Sequence, residues 1–129
     1  MTMKASTMKT GRRGEDEACL YLMEQNHTIL ERNWRNSHLE IDIITLTGNE
    51  LHIIEVKSRV APLAADPLAN ITPKKMECLA RAALAYLHSP SARHLSGDME
   101  ICFDVITVVF DGDAVAIEYY PKAYIPIYA

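Results

Sequence analysis

The sequence predicts an α/β domain: a five-stranded mixed sheet flanked by two main helices, in the order αβββαββ. Three observations lead there. Apolar, β-branched runs separated by polar or glycine-containing breaks recur along the chain, which is strand patterning. One segment instead spaces Met76, Leu79, Ala80, Ala83, Leu84 and Leu87 three and four apart, which is helix patterning. That helix falls between the third and fourth strands, so the chain must cross a sheet face before the fourth strand joins, and the sheet becomes mixed with helices on its faces.

In chain order, residues 1–10 lack periodicity and read as a flexible N-terminal tail, leaving 11–129 as a single domain. Residues 12–25 suit a helix with Ala18, Tyr21 and Leu22 on its core side. Glu15, Asp16 and Glu17 then fall in the first turn, where negative charge complements the helix dipole. Glu15 also lies one turn before Ala18 on the inward-leaning side, so it is the one that can point toward the sheet. Residues 28–34 form a first strand, Asn36-Ser37-His38 a polar break, and 39–46 and 51–58 a hairpin closed by Gly48-Asn49. The stretch 59–70 carries two prolines and no periodicity, and a connection of that length is often part of a site. Thr72 as N-cap and Pro73 at the first helical position start the second helix. Residues 100–110, a turn at Asp111-Gly112-Asp113 and 114–120 complete the sheet, and the apolar 123–128 either packs on the domain or makes a dimer contact.

A chain of 129 residues with 49% apolar and 23% charged residues is one ordinary globular domain, able to bury roughly two-thirds of its unfolded surface. Its opening is polar and basic, and no run approaches a membrane span, so the cytoplasm is the expected compartment and no membrane contact is expected. Cys19, Cys78 and Cys102 are odd in number and lack C-x-x-C spacing, which argues against disulfides and zinc; all three read as small buried groups. The five histidines have no local ligand spacing either, so any metal should prefer oxygen. The net charge of −4 counts against a strong nucleic-acid binder. Yet residues 1–93 hold 12 basic against 11 acidic residues, while 94–129 hold one against six. A basic face from Arg12, Arg13, Arg32, Arg35, Arg59, Lys74 and Lys75 remains open, with modest, salt-sensitive binding.

The chemistry concentrates on Asp42 and Glu55-Val56-Lys57. A hairpin closed at Gly48-Asn49 pairs residues whose numbers sum to 97, which sets Asp42 opposite Glu55 and Glu40 opposite Lys57, with Ile44, Leu46, Leu51 and Ile53 on the same face. Leu39, Ile41, Ile43, Ile54 and Val56 fill the other face, so the strands are covered on both sides. Like charges directly opposite repel, and burial penalises both. A divalent cation between Asp42 and Glu55 resolves the conflict; a solvent-exposed strand end with a Glu40–Lys57 ion pair is the plainer solution. Lys74 and Lys75 sit at the start of a helix, where their charge opposes the dipole but a phosphate is welcome.

These residues, with Gly14-Glu15, Ala18, Arg32-Asn33, Glu40-Ile41-Asp42, Arg59, Ile71-Thr72, Lys75 and Phe103-Asp104-Val105, resemble the restriction-endonuclease-like PD-(D/E)xK superfamily and, over nearly the whole chain, the uncharacterised bacterial YraN family. The superfamily's proline before the first acid is replaced by Ile41. The resemblance implies a core shared with Holliday-junction resolvases and a Mg²⁺- or Mn²⁺-dependent endonuclease acting on DNA rather than RNA, branched or otherwise structured. It implies Asp42, Glu55 and the Val56 carbonyl as metal ligands, with Glu15 reaching the metal through a water. It implies Lys57 as the cation that orients the nucleophile or neutralises the transition state, positioned by Glu40. Lys74, Lys75, Arg59, Arg12 and Arg13 become the nucleic-acid contacts, and a homodimer is one way to cut two strands. The rival readings are a non-catalytic nucleic-acid-binding module or subunit of a repair or recombination complex, and a protein scaffold using the apolar tail.

Overall fold

The computed structural model describes residues 2–63, 66–68 and 72–123, without the side chains of 2–8. Its elements are α1 (Thr2–Glu24), β1 (Thr28–Asn36), β2 (Leu39–Thr47), β3 (Glu50–Val60), α2 (Pro73–Leu87), a 3₁₀ turn (Pro90–Ala92), β4 (Glu100–Asp111) and β5 (Ala114–Tyr120). The five strands form one sheet in sequential order, antiparallel except for β3 and β4, which run parallel over Glu50↔Glu100 to Val60↔Phe110. This is the expected mixed αβββαββ arrangement, consistent with a restriction-endonuclease-like core. The parallel pair exists because α2 carries the chain back across one face before β4 begins.

Each face of the sheet buries its own core. Ala18, Cys19 and Leu22 of α1 pack on Ile43, Ile54, Ile106, Val108 and Phe110. Leu79, Ala82, Ala83 and Tyr86 of α2 pack on Ile41, Ile44, Leu51, Ile53 and Val105. The buried stripe of α2 is thus turned from the expected one: Tyr86 is fully buried and Leu84 is 57% exposed. Tyr86 takes the central place because its ring meets Trp34 edge-on at 5.4 Å, which also holds Trp34 against the core.

The first helix begins at Thr2, not near residue 12, so the segment read as a tail is continuous with α1. Nothing between Met3 and Thr10 breaks a helix; weak amphipathicity, not helix-breaking chemistry, hid it. Glu15, Asp16 and Glu17 therefore lie far inside α1, and their dipole role falls away. Gly14 explains how α1 sits: a Cβ there would stand 1.7 Å from Ser58 Oγ, so only glycine lets the helix touch β3 at this point. Thr72 caps α2 as expected, its hydroxyl accepting from the Lys75 N–H at 3.2 Å, with Pro73 next. Ile71 and the apolar 124–128 lie outside the described residues, so the tail's packing or dimer role does too.

Candidate functional site

The expected hairpin register holds for the five pairs from Ile43↔Ile54 to Thr47↔Glu50 and then stops. Asp42 and Glu55 are not a ladder pair, nor are Glu40 and Lys57. On the other side of β2 the ladder passes from Arg32↔Ile43 to Trp34↔Ile41, skipping Asn33 and Asp42. Asn33 has φ 52°, in the left-handed region that asparagine tolerates better than most side chains. Residues two apart in a strand normally share a face, yet Ile41 packs with α2 and Ile43 with α1. The strand turns over at Asp42, which corrects the expected grouping of Leu39 and Ile41 with Ile43. Asp42 accepts the Val56 N–H at 2.9 Å, so a side chain stitches β2 to β3 beside the point where the ladder ends.

Acidic residues reach this kink from both sheet faces. Glu15 comes from α1, where Gly14 fixes the contact, and its carboxylate takes a hydrogen bond from Asn33; burial nevertheless raises its pKa, with Asp16 and Glu40 adding to the rise. Glu55 continues the α2-facing series of Leu51 and Ile53 along β3. Between them, the Asp42 pKa is pushed up to about 7, first by burial and then by the charges of Glu15, Glu55 and Glu40, against the Val56 hydrogen bond. The charges that act most strongly on Asp42 are all negative. The Lys57 ammonium lies 3.9 Å from Glu55 and its side chain is only 5% exposed. Burial lowers the Lys57 pKa, Glu55 opposes that, and Lys75 beside it lowers it further.

Glu40 pairs with its cross-strand neighbour Arg35 at 3.3 Å, not with Lys57, because the strand turns over before the register can bring the latter two together. Glu40 instead joins Glu55, Lys74 and Lys75 in lining a cavity of about 300 Å³ between the start of β2 and the first turns of α2. The seven candidate cations do not make one face. Arg13 lies 4.3 Å over the Phe110 ring on the α1 side, Arg59 donates to the Ser58 carbonyl, and Lys74 and Lys75 stand on the α2 side. Arg32 is held by Asp16 at 2.7 Å, and Arg12 is exposed. Cys78 is exposed, unlike buried Cys19 and Cys102, and stands on α2 in the open wall of that cavity.

A second polar cluster, reaching toward the start of β3, escaped the sequence reading. Asp104, fully buried, accepts from His52 Nδ1 at 2.7 Å, from the Tyr119 hydroxyl and from the Lys122 N–H at 2.8 Å. His52 Nε2 meets Thr47 Oγ1 at 2.7 Å, and His27 Nδ1 meets Thr45 Oγ1 at 2.6 Å. Burial works against the Asp104 carboxylate, but these hydrogen bonds outweigh it and its pKa falls. Among the described residues, the one trio of His, Cys, Asp or Glu whose ligand atoms all lie within 4.8 Å is Glu50, Glu100 and Cys102, also at this end. Glu100 is already paired with Lys122 at 3.2 Å and Cys102 donates to Glu50. The signal available in the sequence was an aspartate inside the apolar run of β4 and histidines alternating with strand residues.

No described helix is long and apolar enough to cross a membrane. The chain matches the model of the uncharacterised protein family UPF0102 over residues 14–108, which takes in Glu15, Asp42, Glu55, Lys57, Lys75 and Asp104. It is 36% identical over 116 residues to a UPF0102 protein of Bacteroides thetaiotaomicron, covering 90% of this chain and 92% of that one. It is 44% identical over 104 residues to a UPF0102 protein of Chlorobium chlorochromatii, covering 80% and 76%. A relative in Nitratidesulfovibrio vulgaris is 37% identical over 115 residues, covering 89% and 83%. The kink at Asp42 and the buried Asp104 both fall within the matched span, and the chain belongs to the uncharacterised protein family UPF0102.

Proposed function

We propose that this protein is a metal-dependent nuclease that hydrolyses phosphodiester bonds of DNA. The observation that carries the reading is Asp42: a partly buried carboxylate at a kink, crowded by Glu15 and Glu55, beside a buried lysine that leans on Glu55. Hard oxygen donors with more negative charge than the neighbouring cations balance fit a small divalent ion. Asp42, Glu55 and the Val56 carbonyl would hold Mg²⁺ or Mn²⁺, with Glu15 orienting a water between helix and strand. Such an ion supplies Lewis-acid stabilisation of the phosphate and a lower pKa for the attacking water.

The chain's own residues do the rest. Lys57, fixed by burial and by Glu55, presents its ammonium where charge grows on the phosphate, and a desolvated cation is worth more there than in water. Lys74 and Lys75 at the start of α2 face a flanking phosphate across the cavity. Arg13 comes from the α1 side, over the Phe110 ring, so a strand would be gripped from both sheet faces and not laid on one basic surface, with Arg12 and Arg59 adding backbone contacts. Glu40, paired with Arg35, shapes the cavity wall and has no direct part in holding Lys57.

The test is a cleavage panel of duplex, single-stranded, flap and four-way-junction DNA, and RNA, with Mg²⁺ or Mn²⁺, run beside Asp42→Ala and Lys57→Ala. Metal-dependent cleavage should fall about 100-fold or more in each variant, the usual loss of one transition-state stabiliser. Activity surviving both substitutions sinks the site; salt-dependent binding with no cleavage of any substrate favours the binding-module reading.

A further inference from the structure

The cavity beside Glu55 has a composition that a phosphate-binding groove alone does not need. Its polar side carries Lys74 and Lys75, while Leu39, Cys78, Leu79 and the His38 ring supply apolar and planar surface next to them. Glu40 and Glu55 close the strand side. At about 300 Å³ it lies at the small end of ligand sites and has no room for a base pair. Opposite charges at its two sides would orient an occupant: a phosphate is drawn to Lys74 and Lys75 and repelled by Glu40 and Glu55, whereas the amines of a base or a sugar hydroxyl can donate to those carboxylates.

We propose that this cavity receives one unpaired nucleotide of a nucleic-acid strand, its phosphate on Lys74 and Lys75 and its base against Leu39, Leu79 and His38. The substrate class is therefore strands that offer a single-stranded or displaced nucleotide, not continuous duplex. The inference deepens the nuclease reading and rests on it for what happens to the strand once bound, since the cavity adjoins Glu55. It needs no base-specific contact, because stacking on apolar and ring surfaces accepts any base. A continuous duplex must first unstack a base to fill the cavity, which costs it roughly ten- to a hundredfold in affinity relative to a free strand.

Cys78 makes a direct test possible in the unmodified chain. It is the exposed cysteine of the cavity wall, while Cys19 and Cys102 are buried, so a maleimide under native conditions reports on Cys78. The alkylation rate would be measured in EDTA with oligo-dT, oligo-U, a blunt DNA duplex at equal phosphate concentration, and polyphosphate. The expected result is about tenfold slowing by oligo-dT or oligo-U at concentrations where duplex and polyphosphate have little effect, and loss of that slowing in the Lys74→Ala, Lys75→Ala double variant. Equal protection by duplex or by polyphosphate, or protection by none of the four, overturns the proposal. Because the readout is metal-free, protection by single strands in a chain that cleaves nothing would overturn the nuclease reading and leave the nucleotide site standing. Cleavage of blunt duplex as fast as single strand, with no protection of Cys78, would do the reverse.

Discussion

Asp42 on β2 and Asp104 on β4 are two carboxylates on either side of β3, the first partly and the second fully buried, and the chain treats them in opposite ways. Asp104 has its charge met from three directions, by His52, Tyr119 and the Lys122 N–H, and its pKa falls. Asp42 accepts one backbone hydrogen bond, faces three other acids, and its pKa rises to about 7. Burial pushes both upward, so the difference lies wholly in partners. A satisfied buried carboxylate is a structural tie, whereas one crowded by other acids is where the proposed function would seat a divalent cation.

The sharpest way to break this contrast is to remove each carboxylate in turn. Asp104→Ala leaves the His52 Nδ1–H, the Tyr119 hydroxyl and the Lys122 N–H aimed at a fully buried position without an acceptor, and should cost about 3–5 kcal/mol of unfolding free energy. Asp42→Ala in metal-free buffer should cost far less, since it also relieves repulsion. Urea denaturation of both variants at pH 7 checks the pair; equal losses would mean that Asp42 is as much a structural tie as Asp104.

The second test uses pH, where the two carboxylates carry opposite signs. A folded-state pKa raised above the unfolded value means that the native state binds the extra proton, so the Asp42 contribution is full below about pH 4 and is lost as pH rises toward about 7. Glu15, also raised, acts in the same direction. Asp104, with its pKa lowered from 3.8, contributes stability at neutral pH and loses it only as pH falls through its folded value. Metal-free protein should therefore lose stability between about pH 4 and 7, by no more than about 4 kcal/mol from Asp42. Asp42→Asn should flatten the slope, and millimolar Mg²⁺ or Mn²⁺ should restore wild-type stability at pH 8. A thermal-melt series settles it: an unchanged slope in Asp42→Asn, or no metal effect, removes the cation argument.

The two carboxylates also differed in how well the sequence displayed their surroundings. The fold was readable because its signals are local: Thr72-Pro73 starts α2, Gly48 and Gly112 adopt φ of 53° and 60° in their turns, and β5 occupies the span 114–120 that follows the second turn. The candidate site was readable as a set of residues but not as a geometry. Hairpin arithmetic assumes an uninterrupted ladder, and the left-handed Asn33 interrupts it at Asp42, which reassigns Ile41 to the other face and separates Glu40 from Lys57. The Asp104 network was illegible because its members come from the turn before β1, from β2, β3, β4 and β5, and from the turn after it, and no spacing within one segment encodes a contact among so many.

Gly14 offers the smallest and most local test, because it concerns how Glu15 is brought to Asp42 without touching either carboxylate. Gly14→Ala would place a methyl 1.7 Å from Ser58 Oγ and 2.7 Å from its Cβ, so α1 must shift or Ser58 must turn away. Such overpacking typically costs about 1–3 kcal/mol. The Asp104 network should feel it less, since it meets α1 only through the edge-on Tyr21–Tyr119 contact at 6.2 Å, about two helical turns from Gly14. If α1 moves, Glu15 retreats from Asp42, the repulsion between them weakens, and the alkaline loss of stability described above should shrink along with divalent-metal affinity. Ser58→Gly in the Gly14→Ala background reopens the space and should return both. A variant that loses stability but keeps the wild-type pH slope and metal affinity would show that the helix contact matters for packing alone, and that Glu15 has no share in the charge gathered around Asp42.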